Sequence, residues 1–217
     1  MKRAAAIGIL ILLVGISRGL SQGFINLDFE HPVLPLTPVN GQVPSLDAIP
    51  GWTAYTYGSP ASQVFYNTVS LGAAEVSLQG PGSLQAIIPQ GNYAVVLQGS
   101  TGGTPGTAAI GQTGLIPINA QSLIFWGGSA LNGVSINGQT LSLVETASTP
   151  NYNIYAANVS AFAGQTNQLL FTVPVGFSEI IDNVMFSTSP VPEPGTLAVL
   201  GAGAVLLGLL HFRARRL

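Results

Sequence analysis

The chain has 217 residues, only 6% of them charged, and no cysteine. Its lysines and arginines are Lys2, Arg3, Arg18, Arg213, Arg215 and Arg216, so nothing between Gly19 and Phe212 can neutralise a phosphate, and nucleic-acid binding is excluded. Zinc sites, which need several His or Cys ligands, are excluded too, because His31 is the one histidine ahead of the C-terminal apolar segment.

In chain order, Lys2 and Arg3 open a positive region, and residues 4–16 (AAAIGILILLVGI) follow without a charge. Gly19 and Ser21 place small residues at the −3 and −1 positions of a cut between Ser21 and Gln22. The apolar run is shorter than the ~20 residues of a membrane span, so residues 1–21 are expected to be a cleaved signal peptide. The absence of cysteine leaves the exported domain to be stabilised by packing alone.

From 22 to 187 the pattern predicts one β domain. Residues 24–30 (FINLDFE) put Ile25, Leu27 and Phe29 on one face and Asn26, Asp28 and Glu30 on the other, as a half-buried strand would. Further strands are expected in 51–57, 74–78, 83–88, 92–98, 122–126, 168–173 and 179–186. Residues 134–145 (VSINGQTLSLVE) form a hairpin about Asn137-Gly138, a dipeptide that accepts the positive φ of a type I′ turn. Glycine, proline, serine and threonine fill the gaps, most densely at 99–107 (GSTGGTPGT). Many short strands in one domain predict two packed antiparallel sheets.

The C-terminal segment 188–217 carries a different signal. Residues 196–212 are apolar or small apart from His211, long enough to span a thin bilayer as a single transmembrane helix, and the basic tail 213–217 would hold the C-terminus in the cytoplasm. Ahead of that helix stands Pro192-Glu193-Pro194, two prolines that keep the backbone extended and open to a protease. The ordered triple of motif, short Gly- and Leu-rich helix and terminal Arg213, Arg215 and Arg216 resembles the PEP-CTERM sorting signal of exopolysaccharide-producing Gram-negative bacteria. Gly195 stands where many members have serine. The resemblance implies recognition by an exosortase together with the export machinery. It further implies a single-pass inner-membrane intermediate, and placement in the cell envelope, on the outer surface or in a biofilm matrix.

A second, looser resemblance covers most of 24–187. LDFE followed by IPGW, then NVSAFAGQTNQLLFTV, then IIDNVMFS look like bacterial galactose-binding-like jelly-roll domains of the carbohydrate-binding class. The fold expected is therefore all-β: an antiparallel β-sandwich of this jelly-roll kind, flanked by the signal-peptide helix and the C-terminal helix. In such domains the first and last strands lie side by side, and a structural calcium can bridge an early glutamate and a late aspartate. Asp28, Glu30 and Asp182 occupy the matching positions. The alternative is that these acids merely face solvent; no other cofactor is required.

Trp52, Tyr55 and Tyr57 are candidates for stacking on pyranose rings, with Tyr66, Tyr93 and Trp126 as further aromatics. Core packing explains the same residues, and both tryptophans are expected to be buried. No catalytic residue is assigned: His31 stands alone before Pro32, no G-x-S-x-G occurs, and spacing singles out no pair among the seven carboxylates of 22–190. The function expected is that of an exported, exosortase-processed surface or exopolysaccharide-matrix protein, non-catalytic and binding carbohydrate. The alternatives are a carbohydrate-active enzyme and a purely structural membrane-anchored surface protein.

Overall fold

The computed structural model describes residues 23–191 apart from 36–40, 71, 85 and 129–132. The signal peptide with its Ser21/Gln22 cut, Pro192, Glu193 and Pro194, the helix 196–212 and Arg213, Arg215 and Arg216 lie outside the described residues. Among the described residues no helix is long and apolar enough to cross a membrane.

Two sheets face one another. The first contains β1 (Gln42–Pro44), β4 (Gln63–Tyr66), β5 (Glu75–Gln79), β6 (Ala94–Gln98), β8 (Ser122–Gly127), β11 (Leu143–Ser148), β12 (Asn153–Asn158) and β14 (Ser178–Ser187), in the order β1-β4-β5-β6-β14-β8-β12-β11. The second contains β2 (Thr53–Thr56), β3 (Ser59–Ala61), β7 (Ala108–Leu115), β9 (Gly133–Ile136), β10 (Gln139–Thr140) and β13 (Thr166–Val173), in the order β10-β9-β13-β7-β2-β3. Among the described strands β4 and β5 pair in parallel, and the other ladders are antiparallel. Among the described residues the helical content is slight: one turn, α1 (Ser45–Ala48), and a single 3₁₀ turn at Ser160–Phe162. Over the described residues the fold is an all-β sandwich of the jelly-roll kind.

Alternation along the strands builds the core. In β13, Leu169, Phe171 and Val173 are fully buried, while Gln168, Leu170 and Thr172 between them face outward. In β8, Leu123 and Phe125 point inward and Ile124 and Trp126 do not. The layers lock where Phe125 of one sheet meets Phe171 of the other edge-on, with ring centroids 5.1 Å apart at 81°. Each such fully buried side chain contributes about 1.5–3 kcal/mol of burial free energy.

Two expected strands are absent. FINLDFE is a turn: Asn26 has φ 49° and Phe29 φ 58°, the Asn26 carbonyl accepts the Phe29 N–H at 3.3 Å, and the Asn26 side-chain oxygen accepts the His31 N–H at 3.1 Å. The turn drops Phe29 into the core, while Ile25, expected on the same buried face, is 42% exposed. The alternation was real, but local Asx hydrogen bonding outcompeted a ladder. In 83–88 the described residues form no strand, and Leu84 and Ile87 are exposed.

The Asn137-Gly138 hairpin is present, joining β9 to β10 with φ 49° and 78° at its two central residues. Strand β7, which the pattern did not announce, is broken up in sequence by Gly111 and Gly114. Both glycines follow from close approach: a Cβ on Gly114 would lie 2.9 Å from the backbone nitrogen of Phe24.

Candidate functional site

The outward face of the six-stranded sheet carries a groove. Register places Tyr55 of β2 beside Ala109 of β7, and Ala109 beside Thr172 of β13; one row along, Gly111 lies beside Leu170. The small side chain of Ala109 forms a floor, with Tyr55 and Leu170 rising on either side of it and Gly111 leaving open the space beside Leu170. The resulting open cavity is about 290 Å³, completed by Gly58, Thr107, Gln168 and Thr172. A side chain at Gly111 would fill the space beside Leu170, because its Cβ would stand 3.0 Å from the Leu170 Cδ1. None of the lining residues bears a charge at neutral pH, and the Tyr55 hydroxyl makes no hydrogen bond with a described residue. Chemically this is a neutral, ridged surface with a ring, amides and hydroxyls.

The remaining aromatic candidates separate by environment. Trp52 is 1% exposed, flanked by the Phe29 ring at 5.5 Å and the Phe171 ring at 6.1 Å, with its indole N–H donated to the Asn26 carbonyl at 3.0 Å. It is a core residue and cannot stack on a ligand, which corrects its place among the sugar-stacking candidates. Tyr57 lies beyond β2 at φ 53°, packs its ring over Gly106 and accepts the Ala74 N–H on its hydroxyl at 3.0 Å. It braces the loops beside the groove. Tyr66 and Tyr93 are half-buried against the core. Trp126 departs from the expected burial: it stands half-exposed on the outer face of the eight-stranded sheet, stacked on Tyr152.

Of the three acids expected at a calcium site, Asp28 and Glu30 come from the 24–30 turn and Asp182 from β14. Glu30 Oε1 accepts the N–H groups of Asn92 and Tyr93 at 2.8 and 2.9 Å. Asp182, fully buried, accepts the Gln90 N–H on Oδ2 at 2.8 Å and the Asn183 N–H on Oδ1 at 2.6 Å. Asp28 Oδ1 accepts the Glu30 N–H at 3.4 Å. The side-by-side pairing of first and last strands is not present, since 24–30 is a turn and β1 pairs with β4; the turn meets the last strand through the Val184 N–H donated to the Leu27 carbonyl at 2.9 Å.

Burial above all pushes the Asp182 carboxyl up to about 7; hydrogen bonds from Gln90 and Asn183 oppose the rise, and the charges of Glu30 and Asp28 add to it. No lysine or arginine exists between Gly19 and Phe212 to offset this charge. Among the described residues no three His, Cys, Asp or Glu side chains close on one point as a cage. A calcium here would therefore take the balance of its six to eight oxygens from backbone carbonyls and water.

Two features escaped the sequence. Period two in β5 puts Glu75, Ser77 and Gln79 on one face, a row that looks like a solvated edge, yet all three are buried. The Ser77 hydroxyl donates to the Thr68 carbonyl and the Gln79 amide donates to Ser77, while Glu75 Oε2 accepts the Ser70 N–H at 2.6 Å and Oε1 has no hydrogen-bond partner among the described residues. Burial pushes the Glu75 carboxyl up, against the hydrogen bonding from Ser70. The second is the Trp126–Tyr152 pair, residues 26 positions apart that only the β8–β12 ladder brings together.

Compared with known proteins, residues 190–216 match the PEP-CTERM protein-sorting motif. The chain thus ends in a signal for exosortase recognition, export and membrane-anchored sorting. No curated protein matches. The solved structures similar in fold include a Stig cyclase of Fischerella sp. TAU, at 18% identity over 79% of this chain and 98% of that one, with a TM-score of 0.47. Others are the enzymatically active domain of tailspike protein 4 from bacteriophage CBA120 (15% identity, 72% and 21% coverage, TM-score 0.39) and a family 11 carbohydrate-binding module of Clostridium thermocellum (11% identity, 70% and 96% coverage, TM-score 0.35). Similarity at this level says nothing about activity.

Proposed function

We propose that the exported domain is a non-catalytic carbohydrate-binding module that retains the protein in an exopolysaccharide matrix, holding a neutral sugar chain in the groove on the outer face of the six-stranded sheet. The observation that carries this is the groove itself: an aromatic ring and a leucine stand over an alanine floor, with hydroxyl and amide side chains at the rim and no charge among them. Pyranose C–H faces pack on such rings while their hydroxyls bond to the rim. Apart from Tyr55 the lining offers no titratable group, which favours binding over acid–base turnover. On this reading Asp28, Glu30 and Asp182, none of which lines the groove, hold a structural calcium that neutralises the buried acid. The exosortase releases the domain from its inner-membrane intermediate to the outer surface or matrix.

The experiment is a glycan array probed with the mature protein recovered from its producing cell, beside assays on chromogenic glycosides. Binding without turnover, weakened at least tenfold in Tyr55→Ala, is the expected result. Turnover would establish the carbohydrate-active enzyme instead, and neither binding nor turnover would leave a purely structural surface protein.

A further inference from the structure

The opposite side of the sandwich carries a flat aromatic surface that the groove does not account for. Trp126 projects from β8, an interior strand of the eight-stranded sheet, and Tyr152 stacks on it with ring centroids 5.2 Å apart and planes 19° from parallel. Register sets Ile154 of β12 beside Trp126, and Met185 of β14, 38% exposed, beside Ile124. On β14 the residue beside Trp126 is the fully buried Asp182, so the apolar strip runs from Ile154 through Trp126 and Ile124 and reaches β14 only at Met185, beyond a bulge.

Tyr152 is held in place with care. Thr149 Oγ1 accepts the N–H groups of Asn151 and Tyr152 at 3.3 and 3.0 Å, and its hydroxyl and backbone N–H donate to the Tyr152 carbonyl at 2.7 and 2.9 Å. A turn fixed this way presents its ring with little ordering cost on binding. Neither the Trp126 indole N–H nor the Tyr152 hydroxyl hydrogen-bonds to a described residue, so each ring offers a flat apolar face and an unused polar tip.

We propose that this face is a second sugar-stacking site, and that the molecule is a two-faced cross-linker of neutral polysaccharide; this rests on the groove binding the same class of ligand. The sheets lie between the two faces, so one short stretch of glycan cannot occupy both, and filling both joins two chains or two distant segments of one. Charge and area decide the occupant. With no lysine or arginine in the domain, an anionic membrane surface finds no electrostatic partner. Two aromatic side chains bury roughly 150–250 Å² each, short of the ~800 Å² per partner of a stable protein interface but enough for stacked sugar rings.

The test uses the mature protein from its producing cell and a neutral hexasaccharide cut from that cell's exopolysaccharide, followed by calorimetry and by the viscosity of the uncut polymer. Two sites per molecule are expected, falling to one in Trp126→Ala and in Tyr152→Ala. These variants should still bind the polymer but no longer raise its viscosity, while Trp126→Phe retains both. Thermal unfolding of each variant checks that the fold is intact. A single site, lost in Tyr55→Ala and untouched by Trp126→Ala, overturns this inference and leaves the groove standing. A single site lost only in Trp126→Ala overturns the groove and the cross-linker together, as does the absence of binding to wild type. A Trp126-dependent dimer without sugar, seen in sedimentation, would reassign the face to a second copy.

Discussion

Asp182 shows how one residue's surroundings set a measurable property. Its carboxyl is pushed from 3.8 to about 7, so between these values the folded chain binds a proton that the unfolded chain has lost. The stability contributed is fully present below about pH 4, falls as pH rises toward 7 and is level above it. In chelator, urea unfolding should therefore show a loss across that window of at most roughly 4 kcal/mol, and Asp182→Asn should flatten the profile. Calcium at a hundred times its dissociation constant should restore about 2.7 kcal/mol at pH 7; an unchanged profile in calcium would remove the ion from the account. The two tryptophans offer a contrast at the same scale. Trp52→Ala, in the core, is expected to cost ~3–5 kcal/mol, whereas Trp126→Ala, on the surface, should stay within about 1 kcal/mol, both read from denaturant midpoints.

Among the elements, the hairpin β9–β10 and the strand β7 depend on glycine for different reasons. Gly138 has φ 78°, and a Cβ added there would meet nothing within 4 Å, so Gly138→Val strains backbone conformation alone, and a loss of about 1–2 kcal/mol in thermal unfolding is expected. Gly111 is a matter of space: Gly111→Val should fill the groove beside Leu170 and abolish glycan binding there, with sites at Trp126 unaffected in the same titration. Elements also explain what the sequence concealed. The turn at 24–30 mimics a strand because Asn26 and Phe29 alternate polar and apolar as a strand does, and its hydrogen bonds to Pro50 and Trp52 come from a segment more than twenty residues away. Conversely β7 escapes a pattern search because its glycines remove the side chains on which alternation is judged.

At the scale of the whole molecule, charge is segregated along the chain. Removal of residues 1–21 and of the segment beyond the sorting motif would leave eight acids, Glu193 among them, and no lysine or arginine. Intact mass of the mature protein should accordingly match a chain that begins near Gln22 and ends near Pro192–Pro194; recovery with Arg213, Arg215 and Arg216 still attached would contradict processing. Such a domain is held together by its two-sheet core without disulfides or conventional ion pairs, and its carboxylates serve as acceptors for backbone N–H groups, as Glu30 does for Asn92 and Tyr93.

By itself the sequence determined the sorting signal, the β class and the Asn137-Gly138 hairpin, because each is written in contiguous residues whose composition or backbone preference acts locally. Only the tertiary structure decided which aromatics are core and which are surface: Trp52 and Trp126 both sit among apolar neighbours in sequence, and their burial depends on which face of which sheet they reach. The groove and the stacked pair share that dependence, since they arise from strands distant in the chain and aligned by register, and one residue of slip would turn every one of those side chains to the other face.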